Sequence, residues 1–172
     1  MEQCNPIEIY GTLKLAGEVI TKGVSNSYSI PYTIIRPSAV YGPTDMNERV
    51  TQYFLNKSSQ AEPIQIHGKD EKLDFTFIND IADGIIKAAT NKNGINNTFN
   101  ITYGKSRTLL DYVLELKKYY KNIQFEIIKR DSTRPKRGTL SISKAKKLLN
   151  YKPKYNLKKG VREYVYFNNK NF

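Results

Sequence analysis

The sequence predicts an α/β protein, and three observations carry that prediction. Short runs of β-preferring residues alternate with segments of helical periodicity, and glycines and prolines mark most of the boundaries. The third is core material: 13 Tyr and 7 Phe are present although hydrophobic residues make up only 39% of the 172. That length suits one domain.

In chain order, residues 8–27 read as a helix with Ile9, Leu13, Ala16, Gly17, Val19 and Ile20 on one stripe. Pro31 stops it, and 32–36 is a short strand followed by a loop over 37–45. Residues 47–57 form a helix, and 64–67 and 74–78 form two strands around a turn. Asn79 or Asp80 caps the helix over 81–90, with Asp83 where a capping box wants its acid, and Gly94 ends it. Residues 98–101 are a strand, Ser106 or Thr108 opens a helix running to 118, and 124–128 are a strand. A basic loop over 129–138 and two helices, 143–149 and 157–167, close the chain.

Charge is unevenly spread. The net charge of +12 divides into −2 for residues 1–104 and +14 for residues 105–172. A basic half suits nucleic acid or phosphate, but Lys-rich solvated helix faces explain it better, because the charges fall within helical patterns. No apolar run reaches bilayer length, and residues 1–20 lack the layout of a signal peptide. The single Cys4 forms no internal disulfide, which points to the cytoplasm. One histidine, His67, and one cysteine cannot build a zinc site of the usual type, so no metal is expected. His67 reads as packed. Asp70, Glu71, Asp74, Asp80 and Asp83 read as caps and surface turns. The 104–106 Gly-Lys-Ser echo of a phosphate loop fails because Phe99 stands where the leading glycine belongs.

Tyr10 and Lys14 lie four apart on the first helix and project from one face. In nicotinamide chemistry such a lysine stabilises a tyrosinate, which takes a proton from an alcohol while hydride leaves the same carbon. Spacing alone is weak evidence. Chance predicts about 1.6 such pairs at this composition. The chain holds four: Tyr10/Lys14, Tyr53/Lys57, Tyr155/Lys159 and Tyr166/Lys170.

Context separates the first pair from the rest. Asn5-Pro-Ile-Glu-Ile-Tyr-Gly-Thr-Leu-Lys-Leu-Ala-Gly-Glu18 resembles the active-site helix of the extended short-chain dehydrogenase/reductases, in particular the NAD-dependent nucleotide-sugar epimerases and dehydratases. Three further blocks follow in the family's order. Arg36-Pro-Ser-Ala-Val-Tyr-Gly-Pro43 resembles the segment beside the nicotinamide, and Leu73-Asp-Phe-Thr-Phe-Ile-Asn-Asp-Ile-Ala-Asp-Gly84 the block that opens the substrate lobe. Arg134-Pro-Lys-Arg-Gly-Thr-Leu-Ser-Ile-Ser-Lys-Ala145 with Leu148-Leu-Asn-Tyr-Lys-Pro153 resembles the closing signature.

The resemblance implies a fold and a function. None of the 10 glycines forms the family's Gly-x-x-Gly-x-x-Gly turn. The expected fold is therefore the C-terminal part of a Rossmann-type extended short-chain dehydrogenase with its substrate-binding lobe, lacking the N-terminal nucleotide-binding half. Residues 1–45 would hold the catalytic helix, strand and nicotinamide-side loop, and 46–172 the substrate lobe interleaved with the last core strands. The implied function is that of a truncated fragment of such an enzyme, oxidising and re-reducing a sugar hydroxyl. The alternatives are an inactive remnant, a split-enzyme half or a basic nucleic-acid-binding domain. Tyr10 and Lys14 would be catalytic. Both, with Pro37 and Val40, would contact NAD, or NADP. Ser38, Ala39, Arg134 and Arg137 would contact substrate. Two departures stand out: Leu73 replaces an arginine that grips diphosphate in many members, and Ala39 replaces an asparagine. The implied partners are a nucleotide-diphosphate sugar, a separate chain or upstream segment supplying the nucleotide-binding half, and a second copy in a homodimer.

Overall fold

A computed structural model describes residues 4–45, 47–131 and 135–171. Helix α1 (Ile9–Tyr28) leads into strand β1 (Thr33–Pro37), whose β-branched Thr-Ile-Ile run suits an extended backbone. β1 pairs in parallel with β6 (Asn97–Ile101), from Thr33 opposite Asn97 to Pro37 opposite Ile101. A parallel pair needs a long crossover. Here it contains β2 (Val40–Tyr41), α2 (Val50–Ser59), β3 (Ile64–His67), β4 (Lys72–Leu73), β5 (Thr76–Phe77) and α3 (Ile78–Thr90).

Two more parallel pairs follow, β2 with β5 and β3 with β8 (Phe125–Ile128), while β4 pairs antiparallel with β7 (Arg107–Thr108). Helices α4 (Leu109–Leu116), α5 (Ser143–Leu149) and α6 (Leu157–Asn171) complete the chain. β5 falls within the strand expected at 74–78, but β2, β4 and β7 were invisible in the sequence because two residues are too few to show a period of two.

Two apolar clusters hold these elements. The larger gathers Tyr41, Phe54, Phe75, Phe77, Tyr112 and Tyr164, with Ile64 and Ile66 from β3. Tyr41 meets Phe75, Phe77 and Tyr112 edge to face, lying 5.5 Å from both Phe77 and Tyr112. Gly160 of α6 is required here, because a Cβ at that position would lie 2.0 Å from the Tyr41 hydroxyl. The smaller cluster packs α3 and α5 against β6 through Ile81, Ala88, Phe99, Ile101, Ala145 and Leu149.

The structure corrects three local expectations. His67 is exposed, because Ile64 and Ile66 take the inner face of β3 and leave the outer face to Gln65 and His67. α3 starts at Ile78 without a side-chain cap. Asp80 is instead buried and accepts from the Lys154 and Tyr155 backbone N–H groups at 2.8 and 2.9 Å, while Asp83 pairs with Lys87. Asp74 is no surface turn either. It is fully buried and accepts from Thr102 Oγ1 and Gly104 N at 3.0 Å and from Leu140 N at 3.2 Å. A capping box occurs instead at α4, where Thr108 and Asp111 cap each other at 2.9 Å. No helix among the described residues is long and apolar enough to cross a membrane.

Candidate active site

In all four Tyr-x-x-x-Lys pairs the lysine lies over the tyrosine ring. Lys14 lies 5.4 Å from the Tyr10 ring centre, Lys57 5.8 Å from Tyr53, Lys159 4.1 Å from Tyr155 and Lys170 4.5 Å from Tyr166. In three of them the helix itself sets this contact, whereas Tyr155 precedes α6. The surroundings separate the pairs. Lys57 is committed to Glu62, Tyr155 stacks on Phe77 at 4.6 Å, and Tyr166 lies on the exposed face of α6. Among the described residues the Tyr10 and Lys14 side chains make no hydrogen bond, and both line one cleft of about 560 Å³ between α1 and β1.

Pro37 lines that cleft too, with Leu15, Ile34 and Ile35 as its apolar wall. At its base Arg36 donates from Nε and Nη2 to the two Glu18 carboxylate oxygens at 2.6 and 2.7 Å. This fork fixes β1 to α1 one turn beyond Lys14. Glu18 is held below its ordinary carboxyl range, chiefly by the Arg36 hydrogen bond. The pair went unremarked in the sequence, although Glu18 closes the motif block quoted there.

The other expected residues lie elsewhere. Val40 packs on the smaller cluster beside Ile35 and Leu148. Ser38 is half-buried between β1 and β2. The Ala39 carbonyl accepts from Thr76 N at 3.1 Å, with Ala39 at a φ of 39°. Asparagine tolerates that left-handed backbone better than alanine does, which gives a structural reason for asparagine at this position. Arg134 lies outside the described residues.

Arg137 lines a second cleft of about 300 Å³, with Tyr53, Gln65, His67, Leu73 and Arg130 among its walls. Sequence reasoning missed this cleft, apart from Arg137 and the departure at Leu73. The loops after β3 and β8 build it, and parallel pairing brings them together across some sixty residues of chain. Among the described residues no group of three or more His, Cys, Asp or Glu could hold a metal.

The sequence profile of the NAD dependent epimerase/dehydratase family matches residues 1–102, more than half of the chain. The chain belongs to that family. It is 29% identical over 159 residues to an uncharacterized UDP-glucose epimerase of Bacillus subtilis, covering 91% of this chain and 50% of that protein. It is 27% identical over 169 residues to a UDP-glucuronate 4-epimerase of Thermodesulfobacterium geofontis, covering 96% and 52%. Among solved structures, an epimerase of Methanothermobacter thermautotrophicus superposes with a TM-score of 0.90 at 24% identity, over 96% of this chain and 52% of that one. The UDP-glucuronic acid 4-epimerase of Bacillus cereus, solved with UDP-glucuronic acid and NAD, superposes with a TM-score of 0.87 at 26% identity, over 100% and 59%. The chain spans about half the length of the curated relatives it matches.

These matches correct the expectations built on truncation. The epimerase fold accounts for 96–100% of the chain, its parallel strand pairs included. The family likeness and the fold class therefore extend over nearly the whole chain, and the expectation of a carboxyl-terminal part lacking a nucleotide-binding half is withdrawn. The descriptions as a truncated fragment, inactive remnant, split-enzyme half or nucleic-acid-binding domain are withdrawn, as is the separate chain or upstream segment supplying a nucleotide-binding half. The family's enzymatic character stands.

Proposed function

We propose that this chain takes part in the NAD-dependent rearrangement of a nucleotide-diphosphate sugar, most simply its epimerisation, with Tyr10 as the acid/base. One observation carries this reading: of four identically spaced pairs, Tyr10 and Lys14 alone line one cleft together, with Pro37 at its edge. Names of relatives that are UDP-sugar epimerases support the substrate class.

The cofactor is NAD, and the cleft's donor set fits the nicotinamide ribose end of it. A phenol and an ammonium stand on one helix face, with no side-chain hydrogen bond among the described residues, opposite an apolar wall. Bound NAD supplies acceptance of hydride from the sugar carbon and its return. Tyr10 Oη takes the proton of the sugar hydroxyl and gives it back. Lys14 holds the tyrosinate and a ribose hydroxyl. Pro37, with Val40 behind it, bounds the nicotinamide side, and the Arg36–Glu18 fork keeps α1 at a fixed distance from β1. Epimerisation needs no acid or base beyond Tyr10. Ser38 and Ala39 face the sugar in this reading, and Arg137, with Arg134, holds the diphosphate. Residues 1–45 serve catalysis and 46–172 the substrate. We place the reaction in the cytoplasm, which suits the single cysteine.

The test is epimer formation from UDP-glucose and UDP-glucuronic acid with NAD, followed by NMR. Tyr10→Phe keeps the ring and removes the proton carrier, so turnover should fall by about 10²–10⁴. Tyr53→Phe and Tyr166→Phe should leave it nearly unchanged. Turnover that survives Tyr10→Phe overturns the assignment.

A further inference from the structure

Between α2 and the end of α6 lies a cleft of about 340 Å³, lined by the carboxylates of Asp45 and Glu48 and, among others, the amides of Gln52, Asn56 and Asn168. Its charge is the anomaly. The chain carries net +12, and arginine or lysine lines both the Tyr10 and the Arg137 clefts, yet no basic side chain lines this one. Lys57, on the same helix as Gln52, is committed to Glu62. The groups beneath the cleft lack partners. Asp45 Oδ1 accepts from Asn47 N at 3.2 Å, whereas Oδ2 is buried with no hydrogen-bond partner among the described residues. The hydroxyl of the fully buried Tyr112 has none either. Two observations put that hydroxyl at the cleft's floor. Burial pushes it well up, with Tyr41, Tyr164 and Asp45 adding to the rise, and Tyr164 itself donates to Gln52 Oε1 on the cleft wall. Gln52 Nε2 donates to Asn56 Oδ1 at 2.6 Å, which fixes that amide with its oxygen toward Tyr164.

A buried carboxylate oxygen without a donor is costly, and a bound cation removes that cost. The donors on offer are all oxygens, from carboxylates, amides and phenols, with no imidazole or thiol among the lining residues. Such a set suits hard cations rather than zinc. Neutral amide oxygens and open access for water favour calcium, which accepts an irregular shell, over magnesium, which demands an octahedron. We propose that this cleft is a binding site for a calcium-type divalent cation, held by Asp45, Glu48 and the side-chain oxygens of Gln52 and Asn168, with water completing the shell. Two carboxylates fall short of a cluster of three charged or imidazole ligands, so the site is a weak one. It shares no residue with the Tyr10 cleft and does not depend on the reaction assigned there, so either can fail alone.

The experiment is calorimetric titration of the chelator-treated chain with calcium chloride. A dissociation constant of about 10⁻⁴–10⁻³ M is expected. Asp45→Asn keeps the shape, removes the charge and should weaken calcium by at least about tenfold. Asp70→Asn removes an exposed carboxylate that does not line the cleft and should change nothing. Calcium should raise the melting temperature of the unaltered chain and leave that of Asp45→Asn unmoved, which separates lost binding from lost folding. Tyrosine absorbance should shift as calcium binds, and shift less in Tyr112→Phe. Magnesium should bind at least about tenfold more weakly than calcium. No calcium binding up to about 10 mM would overturn the proposal and leave water as the partner of Asp45. Equal losses in Asp45→Asn and Asp70→Asn would overturn it too, because the cation would then be a diffuse counterion.

Discussion

Helix α1 and helix α4 both carry an apolar stripe, yet the structure treats them in opposite ways. α4 buries Leu109, Tyr112, Val113 and Leu116 in eight residues, whereas α1 buries none of its twenty. Tyr112 is fully buried, and Tyr10 is 66% exposed. Periodicity reports which face of a helix is apolar, and it says nothing of what that face meets. The difference divides labour within the chain: stability resides in the two clusters, and the candidate chemistry sits on a helix that the clusters do not hold.

The largest way to break this comparison is to truncate the two tyrosines. Tyr112→Ala should cost about 3–5 kcal/mol, as large aromatic deletions in cores do. Tyr10→Ala should change stability by less than about 0.5 kcal/mol, as surface substitutions do. Urea titrations of both variants measure this directly. Comparable losses would mean that α1 is held as firmly as α4.

Gly160→Ala comes next. Its added methyl would collide with the Tyr41 hydroxyl and ring, and the ring is boxed in by Phe77 and Tyr112. Overpacking of this kind costs about 1–3 kcal/mol. Thermal melts should show the loss. Gly17→Ala on α1 has nothing within 4 Å of the new methyl and should stabilise the helix slightly.

Alkali should act strongly on the clusters. Burial pushes the Tyr41 and Tyr112 hydroxyls well above the ordinary 10.0. A raised folded value means that the neutral phenols contribute fully below pH 10, and that this stability is lost as the pH climbs toward the folded values. Melting temperature should therefore fall above pH 10. Tyr112→Phe, which removes a buried hydroxyl without a partner, should soften the fall.

How much of this was legible follows the same division. α5 was expected at 143–149, where it lies, because its ends are marked locally, and Thr108 was one of the two residues expected to open α4 for the same reason. Asp74 and Asp80 were misread because their partners lie about 28–75 residues away and leave no local trace. The Tyr10–Lys14 candidate was singled out by its surrounding block, since the pair alone recurs three more times. The Arg137 cleft was largely hidden, because strand register decides which loops meet.

The smallest expected effect tests what does hold α1. Glu18 and Arg36 join it to β1, and Arg36 is 37% exposed, so water screens the pair and its worth stays below about 1 kcal/mol. Global stability will scarcely register Glu18→Gln. Hydrogen exchange should, because α1 has no buried residue to share the load: its amides should lose protection while those of α4 do not. Acid gives an independent check. The Arg36 hydrogen bond holds the Glu18 carboxyl below its ordinary 4.5, so the pair contributes fully above that pH and fades as the pH falls through the lowered value. Protection of α1, corrected for intrinsic exchange, should drop below pH 4.5 in the unaltered chain and show no such step in Glu18→Gln. A step that persists in the variant would place the acid-sensitive tie somewhere other than this fork.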